Sequence, residues 1–235
     1  MKTVILCGGR GTRLREYTEV IPKVLVEVGG QPILWHVMKG YAAAGQRDFI
    51  LALGYLADRI KERLMTQVDP DVATWTIDYA DTGEDTNTGG RVHALRDRLG
   101  DTFLVTYGDG VSDIDIQRLL AFHRAHGRLA TVTVVRPRLP FGLVDVGADD
   151  RVRGFEEKPL LDSWINGGFF VFERGVLDYL DPDSVLERQP LERLAADGQL
   201  MAHRHDGFWA CMDTYKETLN LNAAWESGEA PWRTW

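Results

Sequence analysis

The sequence predicts an α/β fold, in which a Rossmann-like, mostly parallel sheet is flanked by helices and the second half is richer in strands. Short β-prone runs alternate with helical ones through the first half. A glycine-rich loop directly follows the first apolar run, residues 4–7. After about residue 136, strand-like segments follow one another more closely. No repeat or linker interrupts the 235 residues, so we expect a single domain, 1–235, with halves of about 1–135 and 136–235.

The individual elements follow from periodicity and from glycine and proline positions. In the first half we expect strands at 3–7, 48–53, 75–79, 103–107 and 130–135, and helices at 33–44, 56–64, 91–99 and 114–126. In the second half we expect strands at 143–146, 152–156, 168–172 and 200–205, and helices at 175–180, 191–197 and 215–226. Ligands bind beyond the carboxyl ends of the strands in such sheets. The loops after Cys7, Tyr79 and Tyr107 are therefore the first places to look for a site.

Composition excludes several classes of protein. Acidic residues outnumber basic ones, 35 to 27, which argues against an electrostatic binder of nucleic acid. The two cysteines have neither disulfide-framework nor metal-site spacing, which is typical of reduced thiols inside a cell. The apolar run at 4–7 is too short for a signal sequence, and no stretch approaches the ~20 residues of a membrane span. We expect a cytoplasmic protein that binds no membrane.

The loop at 8–14 reads G-G-R-G-T-R-L and carries the first chemical signal. Glycines allow a sharp turn whose successive N–H groups form an anion-binding nest. Arg10, Arg13 and Arg15 add three guanidiniums, each able to hold phosphate bidentately. The pattern indicates a triphosphate site, the alternative being a glycine turn with solvated arginines. Lys23, after Pro22, is either a further cation for the same phosphates or a surface charge.

Asp109 lies between two glycines at the carboxyl end of a predicted strand. There it can present its carboxylate to a ligand, although an aspartate in a tight turn is the plainer interpretation. Mg²⁺ is usually held by one or two carboxylates together with substrate phosphates and water. Asp213 is the candidate second carboxylate, provided that the fold brings the two together.

Three further segments place polar side chains next to glycines or at a strand end. Glu157 and Lys158 end a predicted strand, and a carboxylate beside a lysine suits a phosphorylated sugar or an ordinary charged strand end. Asn166 precedes two glycines, which allow either close approach to a polar ligand or a β-bulge. Thr88 precedes another glycine pair at a helix start, where it can cap the helix or contact a base edge.

These motifs, in this order, resemble those of the nucleotidyltransferases that activate sugar 1-phosphates, and most closely the glucose-1-phosphate cytidylyltransferases. The loop at 8–14 matches the family signature G-G-x-G-T-R-L, which is highly specific. The similarity runs over nearly the whole chain, through VEVGG at 26–30, PILWH at 32–36, TGGR at 88–91, TYGDGV at 106–111, EKP at 157–159, INGGFF at 165–170 and APW at 230–232.

The resemblance implies an enzyme that transfers a nucleotidyl group from an NTP, CTP first, to glucose 1-phosphate, with Mg²⁺ as cofactor and a homo-oligomeric assembly. It makes 1–135 the nucleotide half and 136–235 the sugar-phosphate half. Catalysis would rest on Arg13 and Lys23, and the metal on Asp109 and Asp213. The implied nucleotide-binding residues are Leu6, Gly8, Gly9, Gly11, Thr12, Arg13, Lys23, Thr88, Gly89, Gly90 and Asp109. The implied sugar-phosphate residues are Gly142, Glu157, Lys158, Asn166 and Gly167.

The chain departs from the family pattern at two places. Ile21 stands where the family has a lysine before its proline, and the segment 65–88 is shorter than in the cytidylyltransferases. Because that segment lies near the base and the subunit contacts, base choice and assembly follow least directly from the resemblance. Thymidylyl, uridylyl or guanylyl transfer to another sugar 1-phosphate stays open, as does a non-catalytic sensor of nucleotide sugars.

Overall fold

The computed structural model describes residues 1–11, 21–66 and 69–235. The strands are β1 (Lys2–Leu6), β2 (Glu27–Val28), β3 (Gln31–Pro32), β4 (Asp48–Leu53), β5 (Thr76–Asp81), β6 (Thr102–Tyr107), β7 (Gly110–Ser112), β8 (Ala130–Val135), β9 (Leu143–Val146), β10 (Val152–Glu156), β11 (Ile165–Glu173), β12 (Leu200–Arg204) and β13 (Trp209–Cys211). The α-helices of the described residues are α1 (Ile33–Ala43), α2 (Ala57–Met65), α3 (Thr88–Ala94), α4 (Ile116–His126), α5 (Gln189–Ala196) and α6 (Tyr215–Glu226).

Seven strands form the central sheet, in the order β12-β8-β11-β6-β1-β4-β5. All neighbouring pairs are parallel except those of β11, which runs antiparallel to both β6 and β8. The predicted fold class is confirmed. The first strand pairs with β4 on one side and β6 on the other, so the chain winds outwards in both directions from β1. At such a switch point a crevice opens outside the carboxyl ends of the strands.

Both faces of the sheet are covered. Along β1, Ile5 belongs to one apolar core, whereas Val4 and Leu6 belong to the other, as the period of two requires. Helices α1, α2, α4 and α6 contribute to the first core, and α3 and α5 to the second. A strand that is buried on both faces is largely apolar, and residues 4–6 of β1 form such a run after Lys2 and Thr3.

The structure corrects two predicted helices. The segment 91–99 forms instead the helix α3, which begins earlier, at Thr88, and a separate 3₁₀ turn at Arg96–Arg98. Two glycines near the start of α3 weaken its helical signal, and tertiary contacts override that weakness. The segment 175–180 is a 3₁₀ helix, Arg174–Tyr179, rather than an α-helix. The two- and three-residue strands β2, β3, β7 and β13 were not predicted, because such short strands show no periodicity.

Strands β9 and β10 pair only with each other, as an antiparallel hairpin outside the main sheet. Every residue of both strands is exposed, including Val144 and Phe155. Among the described residues, no helix is both long enough and apolar enough to cross a lipid bilayer.

Candidate active site at the carboxyl edge of the sheet

A cavity of about 620 Å³ opens beyond the carboxyl ends of β1 and β6. Its walls come from the glycine loop, the start of α3, the start of β11 and the strand β13. Of the residues singled out from the sequence, those that line it are Leu6, Gly8, Gly9, Gly11, Lys23, Thr88, Asp109, Asn166, Gly167 and Asp213. The structure therefore collects most of the predicted site residues in one place, at the switch point of the sheet.

The side chain of Arg91 anchors the glycine loop through a hydrogen bond. This guanidinium donates to the carbonyl oxygen of Gly8 at 3.0 Å, and a side chain on Gly8 would collide with it. Gly11, farther along the loop, has a φ of 60°, which favours glycine. The two glycines are thus required locally, one by a close approach and the other by the backbone conformation.

Arg91 is a site residue that the sequence motifs contain but that we did not single out. It is only 3% exposed, and its other hydrogen bonds go to the carbonyl oxygens of Leu53, Gly83 and Glu84 and to the hydroxyl of Thr82. Burial lowers the pKa of Arg91, but an arginine stays charged in proteins. Since all of these acceptors are neutral, its positive charge contributes to the potential of the cavity that it lines.

Lys23 joins Asp109 and Asp213 on the wall of the cavity. Its Nζ lies 2.5 Å from Oδ2 of Asp109 and also contacts Oδ1 of Asp213. The three residues are far apart in sequence, and the antiparallel pairing of β7 with β13 brings the two aspartates together. Burial alone would lower the pKa of Lys23, but the carboxylates of Asp109 and Asp213 raise it above its ordinary value. Lys23 is therefore protonated, and its ammonium is held between the two carboxylates.

Local hydrogen bonds fix the backbone of both aspartates. The amide of Met212 donates to the carbonyl oxygen of Asp109 at 2.9 Å, which closes the β7–β13 pair. At the start of α6, the carboxylate of Glu217 accepts from the amide of Asp213 at 2.8 Å and forms a capping box with Thr214. Asp213 consequently enters the site from a rigid helix start.

The donor set at this point fits a divalent cation. Asp109, Cys211 and Asp213 each bring one ligand atom within 4.8 Å of the others. Carboxylate oxygens are what Mg²⁺ prefers, and two of them already hold a cation, the ammonium of Lys23. Burial raises the pKa of the Cys211 thiol, so that the thiol stays protonated and the two aspartates are the residues suited to Mg²⁺.

A second polar group in the cavity wall is centred on Glu187. Its Oε2 accepts from the hydroxyl of Thr88 at 2.6 Å, and its Oε1 accepts from the hydroxyl of Tyr107. The amide Nδ2 of Asn166 donates to the same tyrosine oxygen at 3.2 Å. Sequence reasoning missed Glu187, which lies in the loop just before α5, outside every motif.

Comparison with known proteins shows to which family this chain belongs. The model of the nucleotidyl transferase family matches residues 2–216. The glucose-1-phosphate cytidylyltransferase of Salmonella typhimurium is 45% identical, with 100% of both chains covered. The probable glucose-1-phosphate cytidylyltransferase of Bacillus subtilis is 43% identical, again with 100% of both chains covered. The chain belongs to the nucleotidyl transferase family.

The family fold is also seen in solved structures. HddC from Yersinia pseudotuberculosis, complexed with GMP-PN, aligns with a TM-score of 0.75 and covers 95% of this chain and 99% of its own. Its sequence identity is 21%, so the likeness concerns the fold alone. The likeness confirms the predicted fold. The family match confirms the predicted class of enzyme.

Two of the glycines expected to bind the nucleotide do not line the cavity. In this nucleotidyl transferase, Gly89 and Gly90 are buried against the loop before α5. A side chain on Gly89 would meet Ser184, and one on Gly90 would meet the carbonyl oxygen of Pro182. Both glycines are thus explained by packing, and the residues of this motif that line the cavity are Thr88 and Arg91.

Three residues expected beside the sugar phosphate also lie outside the cavity wall. Gly142 and the pair Glu157–Lys158 flank the two strands of the β9–β10 hairpin. The Nζ of Lys158 lies 3.6 Å from Oε1 of Glu157, and both side chains are more than half exposed. Asn166 and Gly167 of the same predicted set do line the cavity.

The predicted loop arginines divide into two groups. Thr12, Arg13 and Arg15 lie outside the described residues. Arg10 is half-exposed and pairs with Glu84 at 2.7 Å and with Asp85 at 3.1 Å. Its guanidinium also lies 5.3 Å from the centre of the Tyr55 ring. These contacts hold Arg10 at the surface, and it does not contribute to the cavity wall.

Proposed function

We propose that this protein transfers the cytidylyl group of CTP to glucose 1-phosphate and releases pyrophosphate. The observation that carries the proposal is the position of the Lys23 ammonium, which lies between the carboxylates of Asp109 and Asp213. The glycine loop lies beside it and is held by the hydrogen bond from Arg91. Full-length identity to relatives named as glucose-1-phosphate cytidylyltransferases supports the choice of substrates.

The reaction itself needs little proton transfer. An oxygen of the sugar phosphate attacks the α-phosphorus of the nucleotide, and the bond from that phosphorus to the bridging oxygen of the β-phosphate breaks. A phosphate monoester has a second pKa of about 6, so at neutral pH the nucleophile is already ionised and requires no general base. The site must instead align two anions and neutralise charge as the bonds exchange.

The residues divide this work between them. The loop of Gly8, Gly9 and Gly11 presents backbone to the phosphates, and Lys23 and Arg13 supply cations. Mg²⁺, for which Asp109 and Asp213 are the proposed ligands, would add charge neutralisation when bound. Asn166 and Gly167 are the proposed contacts of the sugar phosphate in the cavity. Gly142, Glu157 and Lys158 belong to the proposal only if the β9–β10 hairpin approaches the substrate.

Base choice is tested by competition among nucleotides. With glucose 1-phosphate fixed, we expect CTP to be favoured over UTP, dTTP, GTP and ATP by at least about tenfold in kcat/KM, or about 1.4 kcal/mol. Pyrophosphate release is the readout, and several sugar 1-phosphates should be compared with CTP fixed. Preference for a purine nucleotide would overturn cytidylyl transfer but leave nucleotidyl transfer standing.

The same assay separates the enzyme from a non-catalytic sensor. A sensor would bind the nucleotide sugar in calorimetry without releasing pyrophosphate from any pair of substrates. Asp109→Asn serves as the control, because the amide is nearly isosteric and should reduce turnover by orders of magnitude with the fold intact. Wild-type turnover in this variant at limiting Mg²⁺ would show that the metal assignment is wrong.

Two further expectations belong to the proposal. The homo-oligomer expected from the resemblance has a candidate surface in the β9–β10 hairpin, where Phe141 is 76% exposed and Phe155 is 66% exposed. Light scattering of the wild type and of Phe155→Asp would test it, since a monomeric wild type excludes self-association. A cytoplasmic location stays a prediction.

A further inference from the structure

A chain of hydrogen bonds around Glu187 is not used in the phosphate chemistry. It runs from Thr88 through Glu187 and Tyr107 to Asn166, and all four residues line the cavity. The chain therefore connects a residue expected on the nucleotide side with one expected on the sugar side.

The donors and acceptors of this chain have fixed directions. Tyr107 and Thr88 both donate to Glu187, and the amide of Leu186 donates to the Thr88 oxygen at 3.0 Å. Because a carboxylate can only accept, the hydroxyl of Tyr107 is the donor in its contact with Glu187. A carboxylate accepts about four hydrogen bonds. Glu187 therefore keeps acceptor capacity after receiving these two.

Asn166 is oriented in the same way. Its Oδ1 accepts from the amide of Gly168 at 2.8 Å, while its Nδ2 donates to the hydroxyl of Tyr107. The flip of the amide is thereby settled, because only the nitrogen can donate to the tyrosine oxygen that donates onward. One hydrogen of the Asn166 amide is left for a ligand in the cavity.

The charge of Glu187 differs in kind from that of the two aspartates. Asp109 and Asp213 hold the ammonium of Lys23, whereas the donors to Glu187 among the described residues are two uncharged hydroxyls. A carboxylate with such partners repels phosphate and attracts hydroxyl groups. This part of the wall is therefore matched to a neutral, hydroxyl-bearing ring, beside which the Asn166 amide can donate.

We propose that Glu187 is a specificity-determining residue that accepts a hydrogen bond from a ring hydroxyl of a carbohydrate bound in the cavity. The inference rests on the proposed function, which places two such rings there: the acceptor sugar and the ribose of the nucleotide. Tyr107 and Thr88 hold the carboxylate in place, and Asn166 donates to the same ring.

The test is a double-mutant cycle between the protein and the ligand. Glu187→Gln keeps the shape of the side chain and removes its charge. We expect it to cost about 10- to 100-fold in kcat/KM, mostly through KM, with substrates that carry the hydroxyl. With the analogue that lacks this hydroxyl, the variant and the wild type should differ by less than about threefold. The analogues are the 2-, 3-, 4- and 6-deoxy forms of glucose 1-phosphate and the 2′- and 3′-deoxy forms of CTP.

The arms of the cycle distinguish the two rings. Coupling to a deoxy sugar phosphate assigns Glu187 to the acceptor, and coupling to a deoxynucleotide assigns it to the ribose. An equal loss with every analogue would show that Glu187 only supports Tyr107 and Thr88, and this would overturn the proposal, as would no loss at all. Glu192→Gln, an exposed change in the first turn of α5, is the matched control and should behave as wild type.

The same cycle should be measured as binding affinity by calorimetry, which needs no turnover. If the wild type releases no pyrophosphate from any substrate pair, the proposed function fails, and the binding cycle still decides the role of Glu187. If turnover is normal and no coupling appears in either cycle, only the present inference fails.

Discussion

The ammonium of Lys23 lies 2.5 Å from Asp109 Oδ2 and contacts Asp213 as well, so one internal cation satisfies both carboxylates. The side chain of Lys23 is 10% exposed and those of the aspartates are about one-fifth exposed. Two carboxylates this close repel each other unless a positive charge lies between them. A divalent cation bound by Asp109 and Asp213 would therefore compete with the ammonium for these carboxylates.

The first prediction follows from this competition. Lys23→Met should raise the affinity of the nucleotide-free protein for Mn²⁺, a substitute for Mg²⁺, by at least about tenfold, or about 1.4 kcal/mol. Without metal, the variant should be less stable, because it leaves two partly buried carboxylates without a counter-charge. Added Mn²⁺ should restore its Tm through binding linkage. Calorimetry and thermal unfolding measure both effects.

Lys39→Met is the matched control for Lys23→Met. Lys39 also meets two carboxylates, contacting Asp71 and lying 3.6 Å from Asp69, but it does not line the active-site cavity. Its loss should leave the affinity for Mn²⁺ unchanged. Equal affinities in Lys23→Met and wild type would mean that lysine and metal do not share a site.

The second prediction compares two arginines of the glycine loop. Arg13→Ala should weaken NTP binding and slow the chemical step, because the family resemblance implies that this guanidinium holds the phosphates. Arg10→Ala should cost less, since Arg10 is occupied by Glu84 and Asp85 outside the cavity wall. Steady-state kinetics with CTP varied would measure both. Equal defects would contradict the assignment of Arg13 as the inward-facing side chain.

The third prediction separates packing from ligand contact. In Gly90→Ala, the new methyl group would collide with the carbonyl oxygen of Pro182, and we expect a loss of about 1–3 kcal/mol of unfolding free energy. In Gly9→Ala, the methyl group would meet no atom within 4 Å, so stability should be unchanged while NTP binding weakens. Urea unfolding and nucleotide titration of both variants test the pair. A fully stable Gly90→Ala that binds NTP poorly would favour the base-contact role instead.

Local patterns predicted most of the fold. The bounds of β4, β8, β9, β10 and α6 match those expected from the sequence, because strands of four to six residues and a capped helix carry their own signal. The glycine loop after β1 was predicted for the same reason. The strands that were missed are short: β2 and β3 have two residues each and β7 and β13 three, so they show no period.

The pairing of the short strands β7 and β13 brings together site residues whose proximity could not be predicted from the sequence. Lys23 lies 86 residues from Asp109 and 190 residues from Asp213, and the β7–β13 pairing brings the two aspartates together. Glu187 was missed for a different reason, because it lies in a loop and its partners, Thr88 and Tyr107, come from distant elements. The roles assigned to the individual residues stay predictions.

His36 links α1 to the carboxyl-terminal tryptophans and fixes its own protonation state. The Nε1 of Trp232, which can only donate, lies 3.3 Å from Nδ1 of His36. The hydrogen of the imidazole must therefore be on Nε2, which donates to the carbonyl oxygen of Val28 at 2.8 Å. Burial lowers the pKa of His36 from 6.5 to about 4, against the smaller opposing effect of the Val28 hydrogen bond.

The last prediction is the pH dependence that follows from His36. In the unfolded chain the imidazole gains its proton near pH 6.5, and in the folded protein only near pH 4, so acid favours unfolding between these values. With respect to His36, the free energy of unfolding has its full value above pH 6.5. As the pH falls, it decreases by about 2 kcal/mol at pH 5 and by about 3 kcal/mol below pH 4. His36→Gln, which keeps an amide donor for Val28, should be less stable than wild type at pH 7.5. Its deficit should shrink by about 2 kcal/mol at pH 5 in urea unfolding, because the variant has no imidazole to protonate. Since the other histidines are present in both proteins, a deficit that is the same at the two pH values would show that His36 does not carry this dependence.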